Sequence, residues 1–99
     1  MDIEENKVDI MEESLTLAYK ERLNQVKKFG NQYSRSIYEW VSILGEEFGE
    51  LCEAVNETYL KDCKHPDRGG QENILNEATH VAAVALALIE SMLNKKYKG

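Results

Sequence analysis

Residues 77–89 read EATHVAAVALALI, and this stretch decides what kind of fold the chain can adopt. Glu77 and His80 are followed by nine residues, Val81–Ile89, that would be apolar on every side of a helix. A helix of this kind is normally buried all round. Because two other helices of one small chain can hardly cover it, the stretch predicts an all-α bundle completed by a second subunit.

A first helix is predicted well upstream, over Val8–Phe29. Its apolar residues recur at three- and four-residue steps and form one stripe. Gly30 supplies the stop signal, and residues 1–7 are expected to form a loose extension in front of the helix. The chain has 99 residues, which is enough for a single domain over 1–99, and so short a chain commonly oligomerises.

A second helix is predicted to start at Ser34 or Ser36 and to end near Lys61. Ser36 and Glu39 have the spacing of a capping box, in which each side chain binds the other residue's backbone N–H. Residues 62–70, DCKHPDRGG, contain the one proline and a glycine pair, so they predict a loop. A third helix over residues 72–96 completes a bundle of three main helices per chain.

Charge and composition exclude several classes of protein. The formal net charge of -6 argues against binding to duplex nucleic acid, which needs a basic face. It permits a free nucleotide, because a metal ion can carry the opposing charge. The N-terminus is not a secretory signal, and the apolar run of nine residues is about half of a membrane span. We expect a cytoplasmic protein without a membrane segment, in which Cys52 and Cys63 are reduced thiols.

Two acidic clusters indicate a metal site. In the second helix, Glu47 and Glu50 follow Glu46 and lie about 60° apart on one face. In the third helix, Glu77 and His80 have the same spacing. Two such pairs on adjacent helices would bring four potential ligands to one point, and oxygen-rich ligands suit Mg²⁺ or Mn²⁺.

Each of these residues also has a purely structural interpretation. Four glutamates lie almost opposite the apolar stripe of the second helix, as on a solvated face: Glu46, Glu50, Glu53 and Glu57. Gly45 and Gly49 favour the other interpretation, because two glycines weaken a helix unless another helix or a ligand comes close. His80 is either a metal ligand or the hydrogen-bond partner of a carboxylate on the second helix, since a buried polar group needs a partner.

The two clusters carry a resemblance to a known superfamily. ILGEEFGELCEAV, residues 43–55, resembles the EExxE motif of the MazG-like superfamily, and NEATHVAAVALALIE, residues 76–90, resembles its ExxD helix. The upstream segment ERLNQVKKFGNQYSRSIYEWVSILGEE, residues 21–47, is similar to the ER-x-x-Q-x-x-K-[WF]-G-x-Q block of small MazG-like proteins often carried by phages. The resemblance covers most of the chain, from Tyr19 to Leu93.

The resemblance implies a helical bundle assembled as a dimer or tetramer that hydrolyses a nucleoside triphosphate to a monophosphate and pyrophosphate. Carried over by position, it makes Glu47, Glu50 and Glu77 metal ligands and Glu46 the base that activates water. The family's fourth ligand is an aspartate, where this sequence has His80. Magnesium prefers oxygen ligands, so the affinity for Mg²⁺ should fall, whereas Mn²⁺ tolerates imidazole better.

Residues outside the acidic clusters are candidates for substrate contacts. The block resemblance points to Gln25 and Gln32 for reading base edges. Trp40 is a candidate for stacking on a base, although its place one turn from an apolar stripe equally suits the core. Five basic residues are available for phosphates: Lys28, Arg35, Lys61, Lys64 and Arg68. Cys63 and His65 fall short of the four ligands of a structural zinc site.

Two alternatives to a hydrolase remain open at this point. Because of His80, the helices are also compatible with a non-catalytic MazG-like module for nucleotide binding or oligomerisation, with a degenerate metal site. A more remote alternative is a di-iron or di-manganese carboxylate protein. Bundles of that class use two Glu-x-x-His motifs, of which Glu77 and His80 supply one per chain.

Overall fold

The computed structural model of the protein describes residues 3–60 and 65–98. These residues form three long helices, α1 (Ile3–Phe29), α2 (Ile37–Tyr59) and α3 (Gln71–Lys98), and a short 3₁₀ turn at Pro66–Arg68. No strand occurs within the two described ranges. The predicted all-α class and the three main helices are therefore confirmed.

Helix α1 begins earlier than the sequence pattern predicts. It starts at Ile3 rather than at Val8, so the predicted start of the first helix is wrong. The physical reason is that no glycine or proline interrupts residues 3–29, and most of them favour helix. The helix ends as predicted, because Gly30 has a φ of 75°. Its N–H donates to the Val26 carbonyl at 2.8 Å and closes the last turn.

The start of α2 is set by the predicted capping box. The Ser36 hydroxyl accepts the Glu39 N–H at 3.2 Å, and the Glu39 carboxylate accepts the Ser36 N–H at 3.2 Å. The hydrogen bond from the Ser36 backbone, more than the charge of Arg35, lowers the pKa of the Glu39 carboxyl. Ser36 is therefore the N-cap, and of the two predicted starts the later one is correct.

Both α1 and α2 pack against α3, which is the central helix of the chain. The core between α2 and α3 consists of Trp40, Val84 and Ala87. The Trp40 indole donates to the Ser91 hydroxyl at 3.2 Å, and that hydroxyl donates to the Tyr33 carbonyl at 3.0 Å. The indole N–H is thereby satisfied, as burial requires, and the connection between α1 and α2 is tied to α3.

A second polar contact fixes α1 on α3. Arg22 is buried, and its Nε–H donates to a Glu90 carboxylate oxygen at 2.9 Å. The Tyr33 hydroxyl donates to the other Glu90 oxygen at 3.1 Å. The hydrogen bond to Glu90, together with burial, raises the pKa of Tyr33. Arg22 lies on α1 and Glu90 on α3, so this contact links the two helices directly and helps to set how α1 crosses α3.

Much of the apolar surface of the helices is not covered within one chain. In the run Val81–Ile89, only three residues are buried, and all three are small: Ala83, Val84 and Ala87. The stripe predicted for α2 lies partly on the surface, where Val41 is 52 % and Phe48 56 % exposed. The stretch Gln71–Tyr97 of α3 is also long and apolar enough to cross a membrane, judged by length and composition alone.

Candidate metal centre

One side chain of α2 and two of α3 converge on a common point. Glu77 and His80 lie one turn apart on α3, and Glu47 reaches them from α2. One ligand atom from each residue lies within 4.8 Å of the other two. His80 Nδ1 is 3.4 Å from Glu77 Oε2 and 3.8 Å from Glu47 Oε2. The geometry therefore brings together three of the four residues predicted as ligands.

Within the described residues, two carboxylate oxygens of this cluster accept no hydrogen bond, although they lie 3.4 and 3.8 Å from His80 Nδ1. Oε2 of Glu47 and Oε2 of Glu77 are shielded from solvent, and neither accepts a hydrogen bond from a described residue. Leaving a buried acceptor unsatisfied costs free energy, and more so when it is charged. A cation held between these oxygens and the His80 imidazole would satisfy both. Two carboxylates and one imidazole fit Mn²⁺ or another transition ion better than Mg²⁺.

The electrostatics of the cluster also favour a cation. Burial, followed by the charge of Glu50, raises the pKa of the Glu47 carboxyl above its ordinary value, and Glu77 adds to the effect. His80 acts in the opposite direction. Carboxylates that lie close together in a partly buried place repel one another, and a bound divalent ion offsets that repulsion.

The other two predicted acidic residues lie at the edge of the cluster or outside it. Glu50 is exposed but stands close enough to Glu47 to influence its pKa by charge and by a hydrogen bond. It contributes no atom to the three-ligand group. Glu46 is exposed and forms no ion pair or hydrogen bond with a described side chain. On α2, therefore, Glu47 belongs to the three-ligand group, whereas Glu46 and Glu50 do not.

A fourth residue that sequence patterns did not single out joins the cluster from α1. Glu21 Oε2 lies 3.5 Å from His80 Nε2, on the other side of the imidazole ring from Glu47 and Glu77. Glu21 is the first residue of the segment 21–47 that resembles the MazG-like block, and this resemblance was the one signal in the sequence that could have pointed to it. Its contact with α3 depends on how α1 crosses that helix, and helical periodicity contains no such information.

Two cavities border the cluster, each through one of its carboxylates. The first has a volume of about 200 Å³. It is lined by Glu47 and by three predicted substrate contacts, Gln25, Gln32 and Trp40. Trp40 also belongs to the buried core and is 4 % exposed, so its place in the core is confirmed, and stacking on a base stays a prediction. Lys28, the fourth predicted contact, is exposed and does not line this cavity.

The second cavity lies on the side of Glu77. It has a volume of about 420 Å³, and its lining includes Glu50, Glu77 and Arg68. Arg68 also forms an ion pair with Glu53 at 3.2 Å. A larger open groove of about 1,090 Å³ runs between α1 and the start of α3. Of the three carboxylates that face His80, only Glu21 lines that groove, whereas Glu77 and Glu47 line the smaller cavities.

The glycine that makes a close approach is Gly69, in the loop before α3, and not Gly45 or Gly49 as the sequence led us to expect. A Cβ at Gly45 or Gly49 would have no other group within 4 Å, so neither serves a close approach within this chain. At Gly69, by contrast, a Cβ would lie 2.9 Å from the Glu57 backbone. The Gly70 N–H donates to the Thr58 hydroxyl at 2.7 Å. These contacts dock the loop on the end of α2 and place Arg68 beside the second cavity.

Of the remaining candidates among the described residues, Arg35 lines the first cavity, and His65 and Cys52 line neither cavity. Arg35 contacts Glu39 at 3.3 Å, and its guanidinium lies 5.7 Å from the centre of the Trp40 ring. Its Nε is buried without a hydrogen-bond partner among the described residues. His65 is exposed, and Cys52 is a half-buried free thiol. Three residues named above lie outside the described ranges: Lys61, Cys63 and Lys64.

Comparison with protein-family models, with curated proteins and with solved structures finds no match to this chain.

Proposed function

We propose that the protein is a metal-dependent nucleoside triphosphate pyrophosphohydrolase of the MazG-like type, acting in the cytoplasm as a homo-oligomer. The observation that carries the proposal is the convergence of Glu47, Glu77 and His80, in which two buried carboxylate oxygens accept no hydrogen bond from a described residue. The sequence resemblance names the reaction, and the two carboxylates and one imidazole of the cluster support a divalent ion as the cofactor.

The residues that hold the metal follow from the cluster. Glu47, Glu77 and His80 bind the ion directly, and Glu50 stands next to them as the fourth candidate. Mn²⁺ suits the imidazole, and Mg²⁺ is the alternative. When bound, the ion polarises a phosphate and lowers the pKa of a coordinated water. Glu46 lies outside the three-ligand group and is the candidate base, because a carboxylate without a metal could accept a proton from the attacking water.

The two cavities suggest how a nucleotide lies on the site. The first is smaller than the roughly 300–1,000 Å³ of pockets that enclose a whole drug-sized ligand, and its size suits one flat ring. Gln25 and Gln32 offer amide groups for base edges, and Trp40 offers part of its ring. The second cavity presents the Arg68 guanidinium, which matches phosphate geometry. A nucleotide spanning both would place its phosphates at the metal.

The experiment is a pyrophosphate-release assay over the common ribo- and deoxyribonucleoside triphosphates, first with Mg²⁺ and then with Mn²⁺. We expect turnover with at least one nucleotide and a preference for Mn²⁺. Glu77→Gln should abolish it, whereas Glu72→Gln, which removes the same charge from an exposed position on the same helix, should not. Absence of pyrophosphate release with either metal would reject the hydrolase.

One observation favours a second candidate, a non-catalytic nucleotide-binding module. His80 lies within 3.8 Å of a carboxylate of each helix, Glu21, Glu47 and Glu77, so an ion-paired histidine is a complete structural alternative to a ligand. This candidate predicts weak metal binding and no turnover. A di-iron or di-manganese protein would instead carry stoichiometric metal when purified without additions, which elemental analysis detects.

A further inference from the structure

The imidazole of His80 is held between carboxylates from all three helices. On one side, Nδ1 faces Glu77 at 3.4 Å and Glu47 at 3.8 Å. On the other side, Nε2 faces Glu21 at 3.5 Å. The two buried oxygens that accept no hydrogen bond from a described residue belong to Glu47 and Glu77, so the side of the ring that faces the candidate metal position is the Nδ1 side.

A histidine that binds a metal through one nitrogen usually donates its other N–H to a carboxylate, a carbonyl or a water. This second contact fixes the tautomer and the ring orientation and makes the imidazole a better ligand. Around His80, Glu21 is the only carboxylate near Nε2 among the described residues, and its 3.5 Å distance is slightly longer than a hydrogen bond.

We propose that Glu21 is the positioning residue of the metal centre: it accepts the Nε2–H of His80 and thereby presents Nδ1 to the ion that Glu47 and Glu77 hold. The inference rests on the metal centre of the proposed function but not on hydrolysis. Glu21 touches neither the metal nor the substrate in this role, and it acts only through the orientation and basicity of the imidazole.

The anchoring of α1 explains why Glu21 can hold this position. Its neighbour Arg22 is buried and bound to Glu90 on α3, and it also donates to the Asn31 carbonyl at 3.3 Å. The backbone of Glu21 is therefore fixed against α3 by contacts that do not involve the cluster. Glu21 is also half-buried, so solvent screens its contact with His80 less than it would on an open surface.

The first test measures the affinity of the metal-free protein for Mn²⁺ by electron paramagnetic resonance of the free ion. We expect Glu21→Ala to weaken binding about 10–100-fold, as loss of such a partner typically does. Glu21→Gln should lose less, because its amide oxygen still accepts the Nε2–H. Glu13→Ala, which removes an exposed acid from the same helix, should leave the affinity unchanged.

The second test locates the proton. In zinc-loaded protein, the nitrogen-15 shifts of His80 should show the proton on Nε2 and the metal on Nδ1, with His65 as the uncoordinated reference. Metal on Nε2 would overturn the inference. So would a Glu21→Ala protein that melts lower without metal but binds Mn²⁺ normally, since Glu21 would then be an ordinary ion-pair partner. If neither Mn²⁺ nor Zn²⁺ binds, metal centre and inference fail together; metal binding without hydrolysis removes the proposed reaction alone.

Discussion

At the scale of the residue, His80 is the position where the proposed metal centre departs from the family pattern that the sequence resembles. Replacing it by aspartate would supply the oxygen ligand that the resemblance leads one to expect. We predict that His80→Asp binds Mg²⁺ more tightly, is stabilised more by Mg²⁺ and hydrolyses substrate at an equal or higher rate. A tenfold gain in affinity corresponds to about 1.4 kcal/mol of extra stabilisation at saturating metal.

Melting midpoints with and without Mg²⁺ check this prediction. Without metal the variant should melt lower than the wild type, because an added carboxylate faces Glu21, Glu47 and Glu77 at close range. Magnesium should more than restore the midpoint. A lowered midpoint that Mg²⁺ does not rescue would mean that His80 is an ion-pair partner and not a ligand.

The raised pKa of Glu47 gives a second prediction at this scale. A carboxyl whose pKa is raised on folding is fully stabilising below its unfolded pKa, and that contribution is lost as the pH rises through the folded value. Glu47→Gln keeps the shape without the charge. The metal-free variant should therefore melt higher than the wild type at pH 7 and should not be stabilised by Mn²⁺.

The melting midpoints of Glu47→Gln and of the wild type should be compared across pH in the presence of a chelator. The difference between variant and wild type is expected to shrink as the pH falls through the raised pKa of Glu47 toward its ordinary value of about 4.3. Glu57→Gln, on the same helix but outside the cluster, is the control and should show no such dependence. A difference independent of pH would show that burial of the Glu47 charge is not what destabilises the metal-free protein.

At the scale of the element, the start of α2 depends on a single side chain. Ser36 accepts the Glu39 N–H and so satisfies a donor that the first turn leaves free. We predict that Ser36→Ala lowers the free energy of unfolding by about 0.5–2 kcal/mol. Ser34→Ala is the matched control, because Ser34 is an exposed serine two positions earlier that caps nothing.

Chemical denaturation of the two variants decides this point. Equal losses for Ser34→Ala and Ser36→Ala would contradict the assignment of the cap. The capped first turn also matters for the site, because it fixes where Trp40 enters the core and hence the register of Glu47 two turns later on the same helix. A small loss of Mn²⁺ affinity in Ser36→Ala alone is expected for that reason.

At the scale of the whole molecule, the exposed apolar surface predicts self-association. Five large side chains at spacings of four and seven residues run along α2, each at least a third exposed: Ile37, Val41, Phe48, Val55 and Tyr59. Burying one such side chain fully is worth about 1.5–3 kcal/mol. We expect a dimer or tetramer at micromolar concentration in buffer without detergent, and Phe48→Glu should shift it toward the single chain.

Sedimentation analysis measures the mass directly against the 11.3 kDa of one chain. Asn76→Glu, which adds a charge at an exposed polar position of α3, serves as the control and should not change the assembly. A wild-type particle with the mass of one chain would contradict the prediction. If the protein is recovered only with lipid vesicles or detergent, the result would instead indicate that the stretch Gln71–Tyr97 of α3 associates with a membrane.

The sequence by itself determined the features that depend on near neighbours along the chain. The capping box at Ser36 and the stop at Gly30 could be predicted because helix ends are set by contacts within a few residues. The pairing of Glu77 with His80 followed likewise from one turn of helix. The start of α1 was missed because nothing local marks it: the residues before Val8 favour helix as well as those after it.

Only the tertiary structure decided how these helices meet. It brought Glu47 but not Glu50 into the three-residue cluster, brought Glu21 to His80, and left much of the α2 stripe uncovered. Those outcomes depend on the crossing of α1 and α2 over α3, which is fixed by partners far apart in sequence, such as Arg22 with Glu90. Helical periodicity shows which residues share a face of one helix. It does not show which neighbour that face meets, because this is set by side-chain packing and polar contacts between helices.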